Sequence, residues 1–198
     1  MTSRVVYQFK ILLEDINPTI WRRIQVPKTY SFWDLHVAIQ DSMGWLDYHL
    51  HAFRFGKGRS IVDWEIGIPD DEGFGTIDTL PGWEVPIIEH FQEPGESCIY
   101  EYDFGDGWMH EILLEGILLG EKRQRYPLCI GGERACPPED CGGPPGYYHL
   151  LQVLSDSNDE EYEDMIAWLG SKFDPEKFLS SKVRFDNPRK RWDVAFSN

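Results

Sequence analysis

Residues 5–44, VVYQFKILLEDINPTIWRRIQVPKTYSFWDLHVAIQDSMG, hold the pattern from which the architecture is read. From Val5 to Glu14, apolar and polar side chains alternate with the two-residue period of a half-buried strand. Thr19 to Val26 repeats the alternation, with Ile20, Arg22, Ile24 and Val26 on one face against Trp21, Arg23 and Gln25. Asp15-Ile16-Asn17-Pro18 between them is turn chemistry, so a hairpin is expected. Pro27 cannot donate to a ladder and stops the second strand. The period then becomes helical. Phe32, Leu35, Ile39 and Met43 share a face, Ser31 is the N-cap and Gly44 the stop.

Strand, turn, strand and helix in this order match the opening of a β-grasp unit in layout. Further strands are expected over His49–Phe55 and Ile61–Ile66. Pro69 to Glu96 reads as a long acidic loop with one short strand near Val85 to Glu89. Cys98–Phe104 and Trp108–Leu119 form a second hairpin around Gly105-Asp106-Gly107. Helices follow at Tyr147–Leu154 and Asp159–Leu169, and Asp174-Pro175 starts a last one of about two turns. Strands first and helices last, with no internal repeat or Ser/Gly linker, predict one α+β domain over residues 1–198. Its sheet is mixed or antiparallel.

Composition limits the function classes. Apolar residues make up 41% of the 198 and aromatics 14%, with eight tryptophans, which excludes a disordered chain. The longest apolar stretch, Ile112 to Leu119, is broken by Glu115 and Gly116, and no apolar leader opens the chain. A cytoplasmic protein without a membrane span is expected. Residues 1–60 hold eight basic and five acidic side chains, residues 61–181 six and twenty-seven, and residues 182–198 five and two, giving the net −15. So acidic a middle repels phosphate backbones, which argues against nucleic acid as a partner and for a basic protein. The basic tail from about residue 186, with Pro188-Arg189-Lys190-Arg191, reads as a solvated terminus.

The run Gly131 to Tyr148, GGERACPPEDCGGPPGYY, holds two Cys, four Pro and five Gly. That composition excludes a regular helix or central strand and predicts a shaped loop. Four cysteines in an unexported chain are thiols or metal ligands before they are disulfides. Cys98, alone in a strand-like run, reads as a buried small hydrophobe. Cys129, Cys136 and Cys141 are spaced by six and four residues, which is not a CxxC knuckle. Either they hold zinc with His149 as a fourth ligand, or they are thiols buried under a proline-rich loop. Pro137-Pro138-Glu139-Asp140 sets two carboxylates on a stiff backbone, as reactive groups or as caps for neighbouring donors.

His49 and His51 stand two apart, so on one strand both imidazoles would share a face, a common way to place two metal ligands. The alternative is a half-buried strand whose histidines bond backbone or water. The second hairpin admits two registers. A two-residue turn sets Asp103 opposite His110 with Glu101 on the same face, a carboxylate–imidazole pair suited to orienting a base or metal ligand. A three-residue loop with Gly107 left-handed pairs Phe104 with Trp108 and Tyr102 with His110, an aromatic core ladder. Both stay open. Asp103-Phe104-Gly105 and Val37-Ala38-Ile39-Gln40 resemble kinase motifs, but the lysine, glycine-rich loop and catalytic-loop motif are missing, which excludes a kinase.

The same stretches carry a resemblance. Asn17-Pro18-Thr19-Ile20-Trp21-Arg22-Arg23, Leu35 to Trp45 with His49-Leu50-His51, Tyr100 to Asp106 with Trp108 and His110, and Gly132 to Gly146 run in order along nearly the whole chain. Together they resemble the plasmid pRiA4b ORF-3-like family, also labelled IS1096 element passenger TnpR-like. The resemblance implies a setting on plasmids, mobile elements or chromosomes and no particular reaction. The second label implies recombinase work, which needs a catalytic serine with an arginine cluster; the acidic middle holds nothing comparable. Members of the family often carry valine where this chain has Cys141, which counts against an obligatory three-cysteine zinc site.

The expectation is therefore a polar site of His49, His51, Asp103 and His110, walled by Cys129 to Gly146 and suited to a divalent metal such as zinc. For an enzyme, metal-assisted hydrolysis is the natural class, with imidazoles as ligands and Asp103, His110 and Glu139 as acid–base groups. The alternative is a non-catalytic protein-binding module with an acidic face and structural histidines.

Overall fold

The computed structural model describes residues 5–56, 64–69 and 78–196. Strand β1 (Val5–Leu13) pairs antiparallel with β2 (Trp21–Pro27), Phe9 facing Ile24 and Ile11 facing Arg22. Tyr7, Phe9, Ile11 and Leu13 are all buried on one face of β1, as the alternation requires. Helix α1 (Phe32–Met43) lies on that face through Phe32, Leu35, Ile39 and Met43. Its start is a capping box. The Ser31 hydroxyl accepts from the Asp34 N–H, and the Asp34 carboxylate accepts from the Ser31 N–H, which satisfies two otherwise orphaned donors.

Strands β3 (His51–Arg54), β4 (Trp64–Gly67), β5 (Asp78–Pro81), β6 (Ser97–Tyr102), β7 (Trp108–Leu119) and β8 (Leu128–Glu133) complete one sheet. Its order is β5-β4-β3-β6-β7-β1-β2-β8, and only β4 with β5 runs parallel. Helices α2 (Gly143–Ser155), α3 (Tyr162–Leu169) and α4 (Pro188–Phe196) follow. The architecture is the expected α+β domain, with an open, mostly antiparallel sheet and its later helices C-terminal. Aromatic edges fill the core: Phe32 meets Phe53 at 5.0 Å and Phe9 meets Phe91 at 4.9 Å. No helix among the described residues is long and apolar enough to cross a membrane.

Several local expectations are corrected. The strand expected near Val85–Glu89 is a 3-10 turn at Ile87–Glu89, tied by the Ile87 N–H to the Tyr30 carbonyl, and the strand of this region is β5. The strand expected over Ile61–Ile66 is seen from Trp64 onward, residues 61–63 lying outside the described residues. β8 takes the start of the run read as loop. It is an edge strand, and at Gly132 a Cβ would stand 2.5 Å from the Phe178 ring and 2.8 Å from the Trp21 carbonyl oxygen, so glycine here serves close packing. α2 begins at Gly143 rather than Tyr147, because Pro144 and Pro145 fall in a first turn that needs no N–H. Asp174-Pro175 makes only a turn, closed by the Lys177 N–H on the Asp174 carbonyl.

The basic tail is not a solvated terminus. In α4, Trp192 and Phe196 stand one turn apart and pack on Trp33 at 5.4 and 5.6 Å and on Trp83 at 4.4 and 5.9 Å. Arg191, just before Trp192, bridges Asp41 at 2.7 Å and Asp47 at 3.4 Å. The charge run concealed an apolar stripe.

Candidate functional site

The expected four-residue site divides in two. β3 begins only at His51, so His49 precedes the strand and does not share a face with it. His51 is buried under α1 and stacks on His36 with ring centres 3.5 Å apart and planes 8° apart. Burial, and then the neighbouring His36, hold its imidazole well below the usual histidine range. His51 is a core residue.

The β6–β7 hairpin takes neither expected register. Tyr100 faces His110 and Tyr102 faces Trp108, which leaves residues 103–107 as the loop. The reason is Asp103. Its backbone turns left-handed at φ 56, and its Oδ1 accepts from the N–H groups of Gly105 at 2.9 Å and Asp106 at 3.3 Å. Such a side-chain turn competes with the ladder and ends β6 at Tyr102. His110 is thereby placed in the core, its Nδ1 3.0 Å from the Trp108 carbonyl and Trp45 edge-on at 5.3 Å. It does not join Asp103. The aromatic ladder exists, in a different register from the one foreseen.

Burial lowers the His110 imidazole from 6.5 to about 4, against two opposing backbone hydrogen bonds. The unfolded chain then binds a proton before the folded one does. The stability that depends on neutral His110 is full above pH 6.5 and is lost as pH falls towards 4. That loss comes to about 3 kcal/mol by pH 4, and His51 acts in the same direction. Urea midpoints measured from about pH 7.5 to 4 should fall more steeply for the native chain than for His110→Gln. Parallel curves would remove His110 from the account.

The polar cluster that does form joins His49, Asp103 and Asp140. One ligand atom from each lies within 4.8 Å of the others. His49 Nε2 is 2.9 Å from Asp140 Oδ1 and 3.7 Å from Asp103 Oδ2. That nitrogen is shielded from solvent and makes no hydrogen bond of good geometry, although both carboxylates stand within 4 Å of it. The donor set of one imidazole and two carboxylates fits a divalent cation. Asp103 divides its oxygens, Oδ1 holding its own loop and Oδ2 facing His49. Asp140, at φ 56, is largely exposed and leaves one side open.

Around the cluster, the Asp103 N–H donates to the Leu50 carbonyl at 2.9 Å, which draws the β6 end beside His49. Glu139 accepts from the Leu46 N–H at 2.7 Å and from the Tyr102 hydroxyl at 3.1 Å. Burial raises the Glu139 carboxyl above its ordinary range, opposed by those two hydrogen bonds. Burial and the Glu139 charge push the Tyr102 phenol up as well. Sequence reasoning found His49, Asp103 and Glu139 but left Asp140 unassigned. The available signal was its place after Pro137-Pro138, on the loop expected to wall the site.

That loop is a clamp and not a zinc knuckle. No set of metal-ligating side chains among the described residues contains Cys129, Cys136 or Cys141, and His149 pairs with Glu161 at 3.2 Å on the surface. Burial pushes the Cys141 thiol up to about 12 and raises Cys129 and Cys136 too, as for inert thiols. The loop is anchored by Trp45 Nε1 donating to the Pro137 carbonyl at 2.9 Å and by the Gly142 N–H donating to Asp106 Oδ2 at 3.1 Å. These contacts bring Asp140 to Asp103.

Comparisons with known proteins agree with this fold. The crystal structure of MM3350, a protein of unknown function from Methanosarcina mazei Go1, superposes with a TM-score of 0.80 at 42% sequence identity, covering 93% of this chain and all of that one. The uncharacterized protein y4hQ of Sinorhizobium fredii is 36% identical over 168 residues, 84% of this chain and 81% of its own length. The model of the plasmid pRiA4b ORF-3-like proteins matches residues 5–182. With that match over most of its length, the chain belongs to the plasmid pRiA4b ORF-3-like protein family.

Proposed function

We propose that this chain binds a divalent cation, such as zinc, through His49, Asp103 and Asp140 and uses it for metal-assisted hydrolysis in the cytoplasm, in a plasmid or mobile-element setting. The supporting observation is the shielded His49 Nε2, set against two carboxylates without a hydrogen bond. When bound, the cation supplies a Lewis acid and lowers the pKa of a water molecule. Asp103 Oδ2 and His49 hold the ligand geometry, and exposed Asp140 leaves room for substrate. Glu139 is the acid–base group: raised by burial and bonded to Tyr102, it can hold a proton in the range where an ordinary carboxyl has lost it. His51 and His110 support the core.

Metal analysis and calorimetric titration with zinc and manganese test the reading. One cation per native chain is expected, with affinity at least about tenfold weaker in His49→Ala and Asp140→Asn. His110→Gln, a core variant, should keep the metal. A native chain that takes up neither ion, or ligand variants that bind as it does, would sink the proposal.

A second reading draws on Leu46, Tyr48 and Leu50, which are 60%, 71% and 52% exposed along the segment beside the acidic loop. A protein-binding module for a partner with basic and apolar residues would use them. Loss of partner capture in Tyr48→Ala, with metal absent, would favour it.

A further inference from the structure

A groove remote in composition from the His49 cluster carries the opposite charge. It measures about 930 Å³ and runs between residues 124–130 and 180–188, sharing no residue with the cluster. That volume suits a small-molecule ligand. Arg125 and Arg184 line it. The Nη1 of Arg184 donates to the carbonyls of Ser181 and Val183, both at 2.9 Å, which orients a guanidinium that pairs with no carboxylate among the described residues. The Arg125 backbone carbonyl accepts from the Gln124 side-chain amide at 2.9 Å, and its guanidinium has no partner among the described residues. Asp186 is the single acid of the lining, and Arg191 already holds its carboxylate at 2.5 Å.

These are unusual surroundings in a chain with 34 acidic and 19 basic residues. In the groove beside the His49 cluster, Lys172 is outnumbered by Glu139 and Asp140. In the groove over β7, Arg23 is spent on Glu115. Lys122, Arg123 and Lys182 adjoin the two basic walls in sequence and add to the local field. The rest of the lining is rich in donors. Ser180 and Ser181 offer hydroxyls, and Asn187, whose Oδ1 accepts from the Arg189 and Lys190 N–H groups, has an amide NH₂ with no partner among the described residues. Tyr126 and Phe185 add flat apolar surface.

The geometry points to a binding site for a small phosphate-bearing ligand with a planar ring. Two guanidinium forks and the hydroxyls take the phosphate oxygens, and the aromatic walls take the ring. A long nucleic acid does not fit as well, because its phosphates would extend beyond the groove over a chain whose net charge is −15. The site is independent of the metal reading.

Calorimetric titration of the full chain with adenosine monophosphate, inorganic phosphate and a single-stranded oligonucleotide tests this, with a chelator present so that no cation contributes. Saturable binding of adenosine monophosphate is expected, tighter than that of inorganic phosphate. It should weaken about tenfold or more in Arg125→Ala and in Arg184→Ala. Both side chains are exposed, so circular dichroism should be unchanged. Arg184→Lys, which keeps the charge and loses the fork, should fall between. No saturable binding up to about 10 mM, or equal binding by the alanine variants, overturns the assignment. Preference for the oligonucleotide also overturns it, in favour of a polyanion surface.

Discussion

Alanine at Gly143 is expected to cost about 3 kcal/mol of stability and to weaken cation binding with it. Gly143 sits at φ +67, where an L side chain is strained, and a Cβ there would stand 2.3 Å from the Asp106 carbonyl oxygen. Neither partner can yield cheaply. Asp106 belongs to the loop whose Asp103 faces His49, and Gly143 opens α2 directly after the segment that carries Asp140. Relief of the clash must move the two loops apart, stretching the Gly142 N–H to Asp106 Oδ2 bond and the Asp103–Asp140 approach together. Urea unfolding gives the first effect and zinc titration the second. A variant with normal stability and normal affinity would show that the clamp does not set the cluster.

Arg22→Ala is expected to be at least as damaging, about 4 kcal/mol in urea unfolding. Arg22 is 1% exposed on the inner face of β2, with no carboxylate partner among the described residues. Its Nε donates to the Ser42 carbonyl at 2.9 Å, and its Nη1 to the carbonyls of Trp21 at 2.8 Å and Glu133 at 2.9 Å. The Phe178 ring covers the guanidinium at 3.7 Å. One side chain thus ties the end of α1, β2 and β8 to the segment before the last helix. Alanine leaves three carbonyls without this donor and a void beneath Phe178. Arg22→Lys should recover only part of the loss, since a single ammonium cannot span the fork. If the alanine variant unfolds within about 1 kcal/mol of the native chain, the network is dispensable.

Arg22 also shows how far alternation can be read. Its position on the same face as Ile24 and Val26 is correct, and nothing local discloses that an inward arginine would be satisfied by carbonyls of distant segments. The HxH spacing failed for a related reason. A strand alternates only where it is paired, and β3 is paired from His51 onward, so His49 was free to turn towards a loop. At the second hairpin, Asp103 could bond a partner strand or its own loop. The closing contact came from Gly142, across the fold.

By itself the sequence determined the hairpin, the capped α1, the family and the α+β class. Those features depend on alternation, turn residues and caps that act within a few residues, and here they agree with one another. The tertiary structure alone decided which histidine meets which carboxylate. A slip of one residue reverses a side chain's face, and where a glycine- and proline-rich loop lands is set by contacts with segments far along the chain. Asp140 at His49, Arg22 under Phe178 and the tail helix on Trp33 are all of that second kind.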